Sequence, residues 1–304
     1  MTPVREPAGT AVDAEALLRL RHVVAEARRG SARRTAALPG QIVTRRRGRG
    51  SETDDVRAWS HGDDVRHIDR NTTARTGEPH VRTFRDERDE TTLLLADFRP
   101  AMLFGTRRAL RSVAAAEILA LAGWRALAMG GRVAMLAVGA GEPVFVRPVA
   151  GERAMVAVIG GLGRAHAAAL ALPAAADPPL AAALETSART LRRGGTVVLA
   201  SGLDSPGDGF DEAVRQLVHR VDLRVALISD AFERAPPPGT YPFLTFAGRR
   251  GVRSVAGGPQ TPASRHAAEA ARLARLGAAA VRFDAERPPE DHIVTLGMLH
   301  GDRR

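Results

Sequence analysis

Along this chain the spacing of hydrophobic positions changes twice, and each change marks a different kind of element. Between residues 11 and 29 the apolar side chains Val12, Leu17, Leu20, Val23, Val24 and Ala27 recur at near-helical spacing, with Gly30 placed as a stop. This predicts one amphipathic helix, which packs on the main body or docks a partner. From 41 to 88 no period of 2 or 3.6 dominates; arginines and carboxylates alternate densely around Trp59, Val65, Ile68 and Val81. Closely interleaved signs predict an ordered, mostly irregular ion-pair surface rather than a disordered arm.

Beyond Glu90 short apolar runs alternate with Ala-rich amphipathic stretches. Strands are expected at 91–97, 132–138, 143–147, 196–201, 223–229, 241–246 and 280–283, and helices at 106–129, 152–162, 180–192, 211–219, 263–276 and 289–299. Apolar strands without alternation, each followed by a helix, predict an α/β fold: a doubly wound, mostly parallel sheet buried on both faces. The chain then reads as an N-terminal helix and linker (1–40), a charged, irregular extension (41–90) and an α/β domain (91–304).

Composition narrows the chemistry. Among 304 residues there is no cysteine, which excludes disulfides, thiolate metal sites and a cysteine nucleophile, and suits a reducing compartment. All 44 basic residues are arginine and the net charge is +10, a balance that raises nucleic acid as a partner. The excess is spread along the chain rather than gathered in a basic tail, so nucleic-acid binding is not the expected role. Arg5, Glu6, Asp13 and Glu15 interrupt any signal-peptide core. The best membrane candidate, 112–131, carries Glu117, Trp124 and Arg125, so no membrane insertion and a cytoplasmic location are expected.

Motifs for common chemistries do not complete themselves. Gly139-Ala140-Gly141 follows a strand, but Pro143 opens another at once, which predicts a hairpin turn rather than a phosphate loop. Gly48-Arg49-Gly50 and Gly160-Gly161-Leu162-Gly163 lack the strand-turn-helix context. No nucleophile elbow and no His-Glu-x-x-His spacing occurs. Asp54, Asp55, Asp63, Asp64, Asp69, His61 and His67 form a dense oxygen and imidazole cluster of a kind that can hold a hard cation. Arg57, Arg66, Arg75, Arg82, Arg85 and Arg88 are interleaved with it and can neutralise it as an ion-pair lattice instead.

The run RGRGSETDDVR at 47–57, GDDVR at 62–66, Ile68-Asp69 and NTTARTGEPH at 71–80 resemble the signature of the domain of unknown function 58 family. Its signature positions here are Arg47, Arg49, Ser51, Asp54, Asp55, Arg57, Asp63, Asp64, Arg66, Asp69, Arg75 and Glu78; Arg70 stands where the family commonly has Trp. The resemblance runs from about Gly40 to the end and implies a von Willebrand factor A-like domain. Such domains carry a metal-ion-dependent adhesion site: Asp-x-Ser-x-Ser after the first strand, a Thr from a second loop and an Asp from a third. Here the first loop reads Asp97-Phe98-Arg99-Pro100-Ala101, the second Pro178-Pro179-Leu180 and the third Ser201-Gly202, with Asp204 the nearest acid.

One carboxylate and one hydroxyl cannot supply the octahedral oxygen shell of Mg²⁺. The expectation is therefore a degenerate site with no metal and no cofactor, in which Arg99 puts its guanidinium in the ion's place against Asp97 and Asp204. The resemblance further implies a non-enzymatic protein-binding module that partners a MoxR-type AAA+ ATPase in chaperone-like maturation of a client protein. Asp97, Arg99, Pro178 and Ser201 would form the contact surface, braced by Arg57, Asp63, Asp64, Arg66 and Asp69. The alternatives left open are a metal-dependent phosphoester hydrolase built on the Asp/His cluster and a nucleic-acid-binding protein.

Overall fold

The computed structural model describes residues 9–36, 48–60, 63, 65–84, 90–172, 176–244, 250–255 and 262–299; of these, 31–36, 48–55, 67, 82–84, 243–244 and 262–264 are described by their backbone alone. In chain order the elements are α1 (Ala14–Ala36), β1 (Gly48–Ala58), α2 (Arg70–Thr76), β2 (His80–Phe84), β3 (Thr91–Asp97), α3 (Arg111–Ala128), β4 (Arg132–Val138), β5 (Val144–Ala150), α4 (Glu152–Ala171) and α5 (Ala181–Thr190). They continue with β6 (Thr196–Ser201), α6 (Phe210–Val218), β7 (Asp222–Ser229), α7 (Ala231–Arg234), β8 (Gly239–Leu244), β9 (Arg250–Val255), α8 (Pro262–Arg275), β10 (Ala279–Asp284) and α9 (Ile293–Leu299). The chain forms two compact units, residues 1–30 with 90–304, and residues 31–89.

In the larger unit six strands form one sheet in the order β10-β7-β6-β3-β4-β5. Five run parallel, and β5 returns antiparallel to β4 through the Gly139–Gly141 turn. This is the expected mixed α/β fold with a mostly parallel central sheet. Side chains alternate across the sheet, so each strand feeds two cores. Leu94 and Ala96 of β3 pack with Leu17, Leu20 and Val24 of α1 and with α3, α4 and α9. Leu93 and Leu95 pack on the other face with Leu184 of α5, Leu217 of α6 and Leu273 of α8. The N-terminal helix thus joins the main core, and the Trp124 indole N–H donates to the Leu17 carbonyl at 3.0 Å.

Several elements differ from expectation for local reasons. Helix α1 passes through Gly30, whose absent side chain leaves open space around it, so no steric feature ends the helix there. Helix α3 starts at Arg111 rather than Thr106, because Thr106 donates its backbone N–H and its hydroxyl to Asp230 and Leu110 is extended. Helix α4 runs on to Ala171 through its glycines. A Cβ on Gly161 would lie 2.3 Å from the Met135 methyl and 3.0 Å from Val146, so this glycine lets the helix lie close on β4 and β5. Strand β9, pairing antiparallel with β8, was not anticipated: Arg250–Val255 carries no apolar run. Among the described residues α4 is the helix long and apolar enough to cross a membrane by length and composition, in place of 112–131, and half of its apolar window is buried inside the fold.

The smaller unit is more regular than expected. Strands β1 and β2 pair antiparallel from Asp55↔Thr83 to Ala58↔His80, and α2 lies between them in sequence. Asp69 caps α2, its Oδ1 accepting from the Thr72 N–H at 2.7 Å, and Gly77 closes it at φ +79°. Backbone pairing joins these strands although no hydrophobic period runs through GRGSETDDVRA and HVRTF, which is why the sequence does not announce them.

Candidate functional site

The chain enters the sheet at its centre with β3, winds outward through β4 and β5, and then crosses back to β6 on the other side. The carboxyl ends of β3 and β6 therefore form the topological switch point, where open α/β sheets place their ligand crevice. Asp97 ends β3 and Ser201 ends β6, so the sheet itself brings together residues more than a hundred positions apart.

Arg99 occupies this crevice. The residue is 1% exposed, and its side chain grips Asp97 in a fork: Nε donates to Oδ1 and Nη2 to Oδ2, each at 2.9 Å. Its Nη1 donates to the carbonyls of Pro178 at 2.9 Å and Ser205 at 2.8 Å, which ties the second and third loops to the first. Asp97 also accepts from the Arg99 backbone N–H at 3.0 Å and from the Ser201 hydroxyl at 2.6 Å. Each carboxylate oxygen thus holds two donors, and Ser201 Oγ in turn accepts from the Leu203 N–H at 3.0 Å. Leu203 is held at φ +48°, a left-handed conformation costly for a branched aliphatic residue, where the third loop turns over the crevice.

A divalent cation does not fit this arrangement. Asp97 is saturated by donors with a fixed guanidinium beside it, Asp204 is taken by Arg111 and Arg265, Asp177 accepts from the Ala101 N–H, and Ala101, Pro178 and Gly202 bring no side-chain oxygen.

A second ionic cluster adjoins the first. Arg111, opening α3 and only 4% exposed, contacts Asp204 at 2.7 Å and Glu233 at 2.6 Å, and also donates to the Ala101 carbonyl. Arg265 adds a 2.6 Å contact to Asp204. Burial alone would raise the Asp204 carboxyl, but Arg111 and Arg265 outweigh it and hold the group below its ordinary range. For Glu233 burial wins over Arg111, and the nearby Asp204 charge helps push it up. Asp177, whose Oδ1 accepts from the Ala101 N–H at 3.0 Å, is likewise raised by burial. Gly202 fits closely here: a Cβ would stand 2.7 Å from both Arg111 Nη1 and Asp204 Oδ2, so any side chain at that position would have to displace the pair.

The expected pairing of Arg99 with Asp204 is corrected: Asp204 belongs to Arg111 and Arg265, while Arg99 takes backbone carbonyls instead. Arg111, Glu233 and Arg265 were missed in the sequence. Signals for two of them existed, since an arginine opens an otherwise apolar helix, and Asp230-x-x-Glu233 after a strand is a capping-box spacing that the structure forms. Behind the crevice the buried His166 shares a 2.9 Å hydrogen bond with Ser112 and meets the Phe98 ring edge-on at 5.3 Å; burial lowers its pKa to about 4.

Of the signature residues, Arg57 grips Asp63 through both amino groups at 2.7 and 2.6 Å, and Asp63 also accepts from the Ser60 N–H. The hydrogen bond from Arg57 and that from Ser60 hold the Asp63 carboxyl far below its usual range. Asp69 is the α2 cap, Arg75 lies in its last turn, and Arg66 and Glu78 are exposed. The side chains of Arg47, Arg49, Ser51, Asp54, Asp55, Asp64, His61, His67, Arg82, Arg85 and Arg88 lie outside the described residues. Among the described residues no group of three or more His, Asp or Glu side chains is arranged to hold a metal ion.

Comparison with known proteins gives relatives without assigned roles. Uncharacterized proteins of Mycobacterium bovis and Mycobacterium tuberculosis are each 33% identical over 171 residues, covering 52% of this chain. The chain spans about half the length of these curated relatives, 49% of each. Two solved structures are similar at 13% identity. One is the conserved hypothetical protein BatB from Bacteroides thetaiotaomicron, with a TM-score of 0.45 over 69% of this chain and 99% of the other. The second is an aerotolerance-related membrane protein from Bacteroides fragilis, with a TM-score of 0.44 over 69% and 97%. The family model described as Protein of unknown function DUF58 matches residues 55–245, a stretch that runs from β1 to just past β8 and holds both ionic clusters apart from Arg265, and the chain belongs to that family.

Proposed function

We propose that this chain is a non-enzymatic protein-binding module of the von Willebrand factor A type, working without a metal at its adhesion site. The observation that carries the reading is the Arg99 guanidinium fixed at the switch point, forked to Asp97 and bound to two loop carbonyls. In a metal-dependent adhesion site the cation organises three loops and offers a positive charge. Here an arginine holds three loops together; because Asp97, Arg99 and Ser201 are themselves buried, the expected contact surface is corrected to the outer face of those loops around Pro178, which the buried fork keeps pre-organised.

The partner in this reading is the one the family resemblance implies, a MoxR-type AAA+ ATPase, with a client protein matured by the pair. A surface dense in arginine and carboxylate suits oriented, salt-sensitive docking to an oppositely patterned protein. Of the described members of the Asp/His cluster behind the hydrolase alternative, Asp63 is engaged by Arg57 and Asp69 by the α2 N-terminus. In this reading the module works in the cytoplasm. Capture of the tagged chain from native lysate, with and without ATP and Mg²⁺ and through a salt series, tests it. Nucleotide-dependent recovery of an AAA+ ATPase from the soluble fraction is expected. Recovery of nucleic acid, or of the chain only in a salt-resistant membrane pellet, overturns it.

A further inference from the structure

A second concave site lies on the same unit, between the loop that follows β3, the short helix α7 and the β8–β9 hairpin. Its volume is about 650 Å³, and its walls are Phe104, Phe232, Tyr241, Pro242 and Val255, with Thr106, Pro237 and Arg253 completing the lining. That size falls within the range of small-molecule sites, which are mostly apolar with a few placed polar groups.

The aromatic wall is built rather than accidental. Phe232 meets Phe104 edge-on at 6.2 Å between centroids and Tyr241 edge-on at 5.0 Å, so three rings from three separate elements brace one another. Each ring has a second anchor. The Arg111 guanidinium lies 5.9 Å from the Phe104 centroid, the Tyr241 hydroxyl donates to the Pro237 carbonyl at 2.8 Å, and the Phe232 N–H donates to Asp230 at 2.8 Å. Thr106 is fixed by its bonds to the same Asp230.

Arg253 is the one charged residue in the lining, and it makes no ion pair among the described residues. On a molecule whose other arginines beside the crevice are engaged by carboxylates, this cation opens onto an aromatic cleft without an acid of its own. We propose that the cleft binds a free amphipathic carboxylate, with its apolar body among Phe104, Phe232 and Tyr241 and its anion on Arg253. The cleft is independent of the partner proposed above, since it uses neither Asp97 nor Arg99.

The test titrates the full chain with 2-naphthoate and, separately, with the neutral 2-naphthylmethanol, reading displacement of the fluorescent aromatic anion 1-anilinonaphthalene-8-sulfonate. Saturable binding of naphthoate to one site is expected, at least about tenfold tighter than the alcohol. Arg253→Gln, an exposed position, should weaken naphthoate about tenfold and leave the alcohol within twofold. Phe232→Leu and Tyr241→Ala should weaken both, while Val156→Ser, an exposed residue on α4, changes neither. Circular dichroism melting of each variant separates loss of site from loss of fold; if Tyr241→Ala unfolds the hairpin, Arg253→Gln still decides. Absence of saturable binding, equal affinity for acid and alcohol, or an Arg253→Gln variant that binds naphthoate unchanged overturns the proposal. Tighter binding of a pentapeptide ending in a free phenylalanine carboxylate than of naphthoate also overturns it, by assigning the site to a protein terminus.

Discussion

At the residue scale, Arg99 and Asp97 are two opposite charges almost completely removed from water. Such a pair is weak evidence for net stability, yet breaking it leaves one charge uncompensated in a low-dielectric setting. Arg99→Met should therefore lower stability by about 3–5 kcal/mol in urea unfolding, and Asp97→Leu combined with Arg99→Met should recover much of that loss. A double variant no better than the single one means the two loop carbonyls, not the carboxylate, are what Arg99 chiefly serves. His166 sets a pH dependence whose sign is determined by burial. Unfolded, it protonates near pH 6.5; folded, only near pH 4. Its contribution is present above pH 6.5 and is lost as pH falls toward 4, by up to about 3 kcal/mol. His166→Gln should flatten the fall in the urea midpoint between pH 7 and pH 5; an unchanged slope assigns that fall to other groups.

At the scale of elements, α4 offers a contrast within one helix. Gly163 has open space where a Cβ would go, so Gly163→Ala should stabilise by about 0.5–1 kcal/mol through helix propensity alone. Gly161 faces Met135 and Val146 at close range, so Gly161→Val should cost about 1–3 kcal/mol by pushing the helix off β4 and β5. Thermal unfolding of the two variants reads both signs, and equal effects would falsify the close-packing account of this glycine. The same element shows why local propensity places the end of α4 too early. A Gly-rich stretch resembles a stop when each residue is weighed alone, whereas close packing on the sheet carries the helix through it.

For the whole molecule, the consequence of an arginine at the switch point is indifference to divalent metal. The melting temperature should be the same in millimolar Mg²⁺, in Mn²⁺ and after chelation, because no loop geometry waits for an ion. A rise with Mg²⁺ that Asp97→Ala abolishes would show that the guanidinium yields its place. Salt should act differently: the proposed docking, if carried by the dense arginine and carboxylate surface, should weaken as ionic strength rises, whereas the buried Arg99 fork is screened little.

Local pattern alone determined most strands and helices and their alternation from Glu90 onward, because an apolar run or an amphipathic period is a property of neighbouring residues. That Ala101, Pro178 and Gly202 bring no side-chain oxygen beside Asp97 is equally plain from the sequence, since each loop can be read separately. Pairing across loops was not legible. Whether Asp204 meets Arg99 or Arg111 depends on distances set by the order of strands in the sheet, and the sheet gave it to Arg111. Strand β9 has no apolar run to announce it, and the aromatic cleft that the β8–β9 hairpin closes joins Phe104 to residues 232–255, far away in sequence. A sequence records which residues are charged; only tertiary structure decides which charges have found a partner, because that depends on a three-dimensional neighbourhood and the removal of water.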